Sequence, residues 1–334
     1  MQNTQPSEIQ DFHTSCTVIE PVHSVPGLAD DVRDGLLEKP RQLPPKYFYD
    51  QRGSHLFEKI CQTPEYYPTR IEDSLLQENS KNIIERTRPV QILELGSGNA
   101  QKTRRIFDAC ELLDNSCEYV PFDVCENILE VSAAQLKQDY DWLDVMPLVG
   151  DYHAGLANLP GSEGTRLFLF LGSTIGNFTP DEALKFIAEV KDCMKPGDYF
   201  LLGVDRVKNV DVVDAAYNDA EGITAEFNLN VLHVINRELG ADFDVSGFEH
   251  SAKYNESKQR VEMRLVANSE QQVHISDLDV TLTFKPGDEI LTEVSHKYTP
   301  DNIESMLQQS GLTVIEHYEP DNRYFSLILT QYDS

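Results

Sequence analysis

Val90-Gln91-Ile92-Leu93-Glu94-Leu95-Gly96-Ser97-Gly98 is the stretch that decides the fold. An apolar run that reaches an acid and then meets a glycine pair is a short buried strand leaving its sheet through a tight turn. Glycines at such a turn let the backbone approach a ligand closely. The helix pattern that starts near Ala100 adds free N–H groups at its N-terminus. The dinucleotide fingerprint requires a third glycine three residues after the second. Gln101 stands there, so a pyrophosphate is disfavoured as the ligand.

Outward from this turn, helical and strand-like segments alternate. A helix pattern over 72–87 precedes the strand, and a helix over about 100–113 follows it. Strands are expected at 118–123, 145–149, 166–171 and 199–204, with a helix over roughly 125–139. The segment 166–171 is apolar throughout, as in a strand buried on both faces. This rhythm calls for a parallel sheet with helices on both sides. It breaks after Lys208, where a helical stretch from Val210 to Leu239 gives way to strands near 247–255, 259–269, 276–285 and 289–298. Thr299-Pro300-Asp301 then opens another helix, and strands at 312–318 and 324–331 close the chain. The expected fold class is α/β: a Rossmann-like sheet carrying an inserted α+β substrate-recognition domain. The expected organisation is a disordered arm over 1–15, a Rossmann-like domain of 71–207 plus 296–334, and a second domain of 16–70 plus 208–295.

Across 334 residues, 28 basic and 56 acidic side chains give a formal net charge of -28, spread along the whole sequence. A surface of that sign lacks the basic footprint that nucleic acid needs, and it does not dock on an anionic membrane. A self-repelling surface fits an expected monomer. The N-terminus lacks the features of a signal peptide, and no apolar run reaches membrane-spanning length. Six cysteines are scattered without Cys-x-x-Cys pairs, and no histidine pair has metal-ligand spacing. A reduced, cytoplasmic protein with no metal is expected.

Two further strand ends corroborate the ligand reading. Asp123 closes the second strand, where a carboxylate can accept both hydroxyl protons of a ribose. Asp151 follows the third strand, placed to accept from an adenine amino group with Tyr152 beside the ring. Glu94 suits a turn that holds no phosphate. Each residue alone could be an ordinary turn or cap. Together, at consecutive strand ends, they point to S-adenosylmethionine. The fourth strand stops in Leu171-Gly172-Ser173-Thr174-Ile175-Gly176-Asn177-Phe178. Small residues there leave room for an acceptor, and Asn177 can orient an amine without adding charge; an ordinary strand-to-helix turn is the alternative.

The sequence also resembles a known family, the histidine Nα-methyltransferases of ergothioneine biosynthesis, from about Leu43 to Gln331. The motifs are Pro45-Lys46-Tyr47-Phe48-Tyr49-Asp50, Pro64-Glu65-Tyr66-Tyr67-Pro68-Thr69-Arg70, Glu94-Leu95-Gly96-Ser97-Gly98 with Lys102-Thr103, and Pro121-Phe122-Asp123. To these are added Phe170 through Asn177, Ala225-Glu226-Phe227-Asn228, and Leu291-Thr292-Glu293-Val294-Ser295. The resemblance implies trimethylation of L-histidine to hercynine with S-adenosylmethionine as the methyl donor. It implies a donor site of Gly96, Gly98, Lys102, Asp123, Asp151 and Tyr152, the last standing where the family often has Phe. It implies that Tyr66, Asn177 and Tyr217 hold the α-amino and α-carboxylate groups. It sets Glu293 and Ser295 on the imidazole, Met263 and Phe57 or neighbouring apolar residues around it, and Tyr49 near the reacting nitrogen.

That set is chemically coherent. A carboxylate and a hydroxyl can satisfy both imidazole nitrogens. Tyrosine faces suit a growing alkylammonium. No strong base or nucleophile is needed, so catalysis would rest on positioning, with Tyr49 and Asn177 nearest the transfer. Two other readings remain: the same fold acting on another amino acid such as tryptophan, and a donor-binding sensor without turnover. Trp142 is expected to be packing, His296 to lie on a strand surface, and Tyr47 and Tyr67 to pack between domains.

Overall fold

The structure is a computed structural model that describes residues 15–333. Most of the expected arm, residues 1–14, lies outside the described residues. The larger sheet runs in the order Thr17–Val18, Leu148–Val149, Glu118–Asp123, Gln91–Leu95, Arg166–Phe170, Tyr199–Asp205, Phe325–Gln331, Thr313–Tyr318. The pairings are parallel up to Tyr199–Asp205, and Phe325–Gln331 runs antiparallel to both its neighbours. Strand order reverses between Gln91–Leu95 and Arg166–Phe170. A crevice forms at such a reversal, beyond the carboxyl ends of the strands. This is the expected Rossmann-like sheet.

Alternation along the central strands builds two cores. Leu93, Leu95, Val120, Phe122, Phe168 and Phe170 face one side and pack on Phe186, Ile187 and Val190 of the helix Pro180–Cys193. Ile92, Tyr119, Leu167 and Leu169 face the other side and pack on Leu75, Ile83, Ile106 and Phe107. These belong to the helices Tyr67–Thr87 and Arg104–Leu112. The helix start read from the sequence at 179–182 is a full capping box, with Thr179 and Glu182 bonding each other's backbone N–H and Pro180 at the first turn.

The second sheet runs Arg41–Gln42, Glu289–His296, Arg260–Ala267, Phe248–Asn255. It shares a third core with the helices Gln51–Ile60 and Ile223–Leu239, built on Phe48, Leu56, Phe227, Val231, Leu265 and Phe284.

Local departures have local causes. The stretch 210–239 is two helices, Val210–Ala216 and Ile223–Leu239. Gly222 sits at φ 73°, and the Asp219 carboxylate accepts from the N–H groups of Ile223 (2.8 Å) and Thr224 (2.7 Å), which starts the second helix afresh. The expected strand 145–149 is two short pairings, Asp144–Val145 and Leu148–Val149, because Pro147 between them has no N–H to give. The region 276–285 supplies only one strand, Val280–Phe284. It pairs with Gln271–Ile275 after a turn in which Asp279 adopts φ 51°. Thr17–Val18, from the segment expected in the second domain, pairs instead with the edge of the larger sheet. His296, expected to open the last Rossmann-like segment, ends a strand of the smaller sheet.

Candidate active site

One cavity of about 1440 Å³ runs between the two sheets, lined by residues of both. Every site residue expected from the sequence lines it.

At the strand ends of the larger sheet, Gly96 (φ 69°) and Gly98 (φ 51°) turn the chain in a conformation that side chains resist. Asp123 holds that turn: Oδ2 accepts from Gly98 N–H at 2.9 Å and Oδ1 from Cys125 N–H at 3.0 Å. Burial raises its pKa while those N–H groups pull it down, with burial the stronger. Two backbone donors leave the carboxylate with free lone pairs, which fits a ribose diol. Asp151 caps the next turn through His153 N–H at 2.8 Å. The Tyr152 ring packs edge-on against Phe170 and Phe186 (5.8 and 5.7 Å between centroids) and stands beside Gly96. Lys102 makes a close ion pair with Glu72, a fully buried carboxylate that also accepts from Gly172 N–H at 2.8 and 2.9 Å. Burial works to lower the Lys102 pKa, but the charge and hydrogen bond of Glu72 overcome it and leave it raised. Glu94 turns away from the turn it precedes. It bonds Tyr119 and accepts from Thr103 at 2.7 Å, and burial pushes its pKa up to about 7.

Toward the smaller sheet, Tyr49 ends the turn Pro45–Phe48 and meets Phe57 and Phe227 edge-on, each at 5.6 Å. Tyr66 precedes the helix Tyr67–Thr87 and faces Tyr217 at 6.3 Å. Asn177 ends the turn Thr174–Asn177, which lies directly on the strand Glu289–His296: a Cβ at Gly176 would come within 2.8 Å of the His296 carbonyl. Glu293 and Ser295 project from that strand two residues apart, on one face. Met263 sits opposite Glu293 in the sheet register. Burial pushes Glu293 up to about 7, with Lys297 opposing. Burial and then the charge of Glu293 drive the Tyr49 hydroxyl well above its usual range.

The sequence reading missed a buried charge network behind this wall. Lys297 and Asp205, each 1% exposed, pair at 2.9 Å, and Lys208 pairs with the same carboxylate. Tyr67 donates to Asp205 at 2.7 Å, so it is a network member and not only packing. Lys297 reaches Tyr217 Oη at 3.0 Å and Ser295 Oγ at 2.9 Å. The signals existed: Asp205 is a strand-end acid like Asp123, and Lys297 continues the alternation of Glu293 and Ser295. His296, expected on a strand surface, is buried, and burial lowers its pKa to about 4. Among the described residues no group of His, Cys, Asp and Glu could hold a metal ion, and no helix is long and apolar enough to cross a membrane.

Residues 28–332 match the family model described as histidine-specific methyltransferase, SAM-dependent. The chain belongs to this family. The histidine N-alpha-methyltransferase of Mycobacterium tuberculosis is 43% identical over 90% of this chain and 94% of its own. The ergothioneine biosynthesis protein 1 of Neurospora crassa is 29% identical over 85% of this chain, which spans 32% of that longer protein. An L-tryptophan methyltransferase of Psilocybe serbica is 28% identical over 88% of this chain and 89% of its own. This family member is thus an S-adenosylmethionine-dependent N-methyltransferase with a Rossmann-like fold.

Proposed function

We propose that this family member trimethylates the α-amine of L-histidine to hercynine, the first step of ergothioneine biosynthesis. The observation that carries the reading is the pair Glu293 and Ser295 on one strand face, across the same cavity from Tyr49, Tyr66 and Asn177. A carboxylate and a hydroxyl side by side match the two nitrogens of a neutral imidazole. An indole carries a single N–H and more bulk, and it would leave one of the pair without a partner.

S-adenosylmethionine, once bound, supplies an electrophilic methyl group. Gly96, Gly98, Asp123, Asp151 and Tyr152 hold it in the donor half, with Lys102 at the near end. Tyr66, Asn177 and Tyr217 fix the amino-acid backbone, so the α-nitrogen lies in line with the methyl group at roughly 3–3.5 Å. Each transfer needs a neutral amine. Tyr49 or a water against it passes that proton outward, and its burial keeps the hydroxyl protonated between transfers. The faces of Tyr49, Tyr66 and Tyr217 stabilise the increasingly alkylated cation. The larger sheet with its helices acts as a donor domain and the smaller one as an acceptor domain. The protein acts as a cytoplasmic monomer, and a net charge of -28 stands against nucleic-acid and anionic-membrane partners.

The test is mass spectrometry of a reaction with S-adenosylmethionine and an equimolar pool of the twenty amino acids. Gains of one, two and three methyl groups on histidine alone support the reading. Methylation of tryptophan, or of any other member instead, sinks the roles of Glu293 and Ser295. Donor bound with no product points to a sensor.

A further inference from the structure

Lys297 donates to Tyr217 Oη at 3.0 Å and to Ser295 Oγ at 2.9 Å, and its charge pairs with Asp205 Oδ2 at 2.9 Å. Lys297 borders the cavity, but its side chain is 1% exposed and is engaged by these protein groups. An ammonium donates and never accepts. It therefore decides which way its partners' protons point.

Ser295 Oγ has two lone pairs and one proton. Lys297 occupies one lone pair, and the Tyr217 hydroxyl donates to the other at 2.8 Å. The Ser295 O–H then has one direction left, into the cavity. With its proton held on Ser295 and one lone pair taken by Lys297, Tyr217 Oη has one lone pair left and meets the substrate backbone as an acceptor from the α-amino group. Glu293 stands two residues before Ser295 as an acceptor with no proton to give when ionised.

We infer that Lys297 is a positioning residue for acceptor specificity: held by Asp205, it fixes Ser295 as a hydrogen-bond donor beside the acceptor Glu293. This rests on the histidine reading above and deepens it. The wall presents one donor and one acceptor in fixed order, so it selects a ring with one bare nitrogen toward Ser295 and one N–H toward Glu293. A neutral imidazole in a single tautomer meets that demand. A ring with two N–H bonds sets proton against proton at Ser295, and a ring with no bare nitrogen leaves the Ser295 proton unpaired.

The variant needed is Lys297→Met, which keeps the chain length and loses the donors. Asp205 would keep Lys208 and the Tyr67 hydroxyl as partners, which favours folding. A double-mutant cycle with Ser295→Ala isolates the coupling. In the wild-type background Ser295→Ala is expected to lower kcat/KM for histidine by at least about tenfold. In the Lys297→Met background the same change should cost less than about threefold, because a Ser295 hydroxyl free to turn toward Tyr217 no longer serves the ring. Equal losses in both backgrounds overturn the inference, since a merely structural lysine would give additive effects. S-adenosylhomocysteine binding by titration calorimetry reports whether each variant is folded.

A second measurement needs no variant. The two pyrrolylalanines, with pyrrole joined at carbon 2 or carbon 3, keep a ring N–H and lack the bare nitrogen. Wild-type kcat/KM for both should fall at least about tenfold below histidine. If either matches histidine, the inference fails while the histidine reading stands. If histidine itself is untouched while S-adenosylhomocysteine binds, the histidine reading fails, and this inference with it.

Discussion

The Thr292 hydroxyl donates to the Asn228 side-chain oxygen at 2.6 Å, at the point where the strand Glu289–His296 has one residue more than its partner. Met263 pairs with Glu293 and Arg264 with Leu291, so Thr292 has no opposite number. Asn228, on the helix Ile223–Leu239, also donates to the Arg264 carbonyl at 3.0 Å and thereby clasps both sides of the bulge. Bulges re-aim the side chains that follow them. Here the residue re-aimed is Glu293.

Asn228→Ala should therefore harm the acceptor half and spare the donor half. It strips a fully buried network of an amide, at a cost of roughly 1–3 kcal/mol measured by urea unfolding. The KM for histidine should rise while S-adenosylhomocysteine affinity holds. Equal weakening of both ligands would mean the bulge does not aim Glu293.

Glu293→Gln should lower activity and raise stability together. Losing a charged acceptor for a ring N–H costs roughly 1.5–3 kcal/mol of transition-state binding, about 10- to 150-fold in kcat/KM. Stability runs the other way. The folded carboxyl titrates near 7, above its usual 4.5, so the folded state binds this proton more tightly than the unfolded one. Its contribution to stability is lost as pH rises from about 4.5 through 7. Thermal unfolding at pH 8 should show the glutamine variant melting higher than wild type, with the gap closing toward pH 4. A lower melting temperature at pH 8 would contradict the assignment.

Lys102→Met would leave the Glu72 carboxylate buried beside the donor site without its counter-charge. The expected loss is roughly 3 kcal/mol, the lower end for breaking a buried pair, because Lys102 is partly solvated. Adding Glu72→Gln should restore most of the stability but not donor affinity. Denaturant titration and calorimetry separate these outcomes. If the second substitution restores nothing, the pair is not what holds Glu72 in place.

Gly176→Ala tests the contact between the two halves. The new Cβ would lie 2.8 Å from the His296 carbonyl oxygen and 3.2 Å from its nitrogen, both backbone atoms that cannot swing aside. The turn carrying Asn177 must move off the strand carrying Ser295. Misplacement of this order can cost about 100-fold in rate. A steady-state assay should show a large fall in kcat/KM for histidine with little change in donor affinity. Wild-type kinetics would mean that Asn177 tolerates displacement.

The sequence by itself determined the larger sheet and which residues stand at its strand ends. Val90 through Gly98, Asp123 and Asp151 are strand-end residues, and in an alternating β/α chain strand ends converge on one edge whatever the loops do. Tyr49, Tyr66, Tyr217 and Glu293, which line the same cavity, were legible only through motif resemblance, because they are too far apart in sequence for spacing to relate them. Tertiary structure alone decided the rest. The bulge at Thr292 depends on Asn228, some sixty positions earlier, and no local pattern encodes an unopposed residue. No spacing relates Lys297 to Asp205 and Lys208, which lie some ninety positions earlier. Only packing reveals that two cations are buried around one carboxylate, where low dielectric strengthens each interaction.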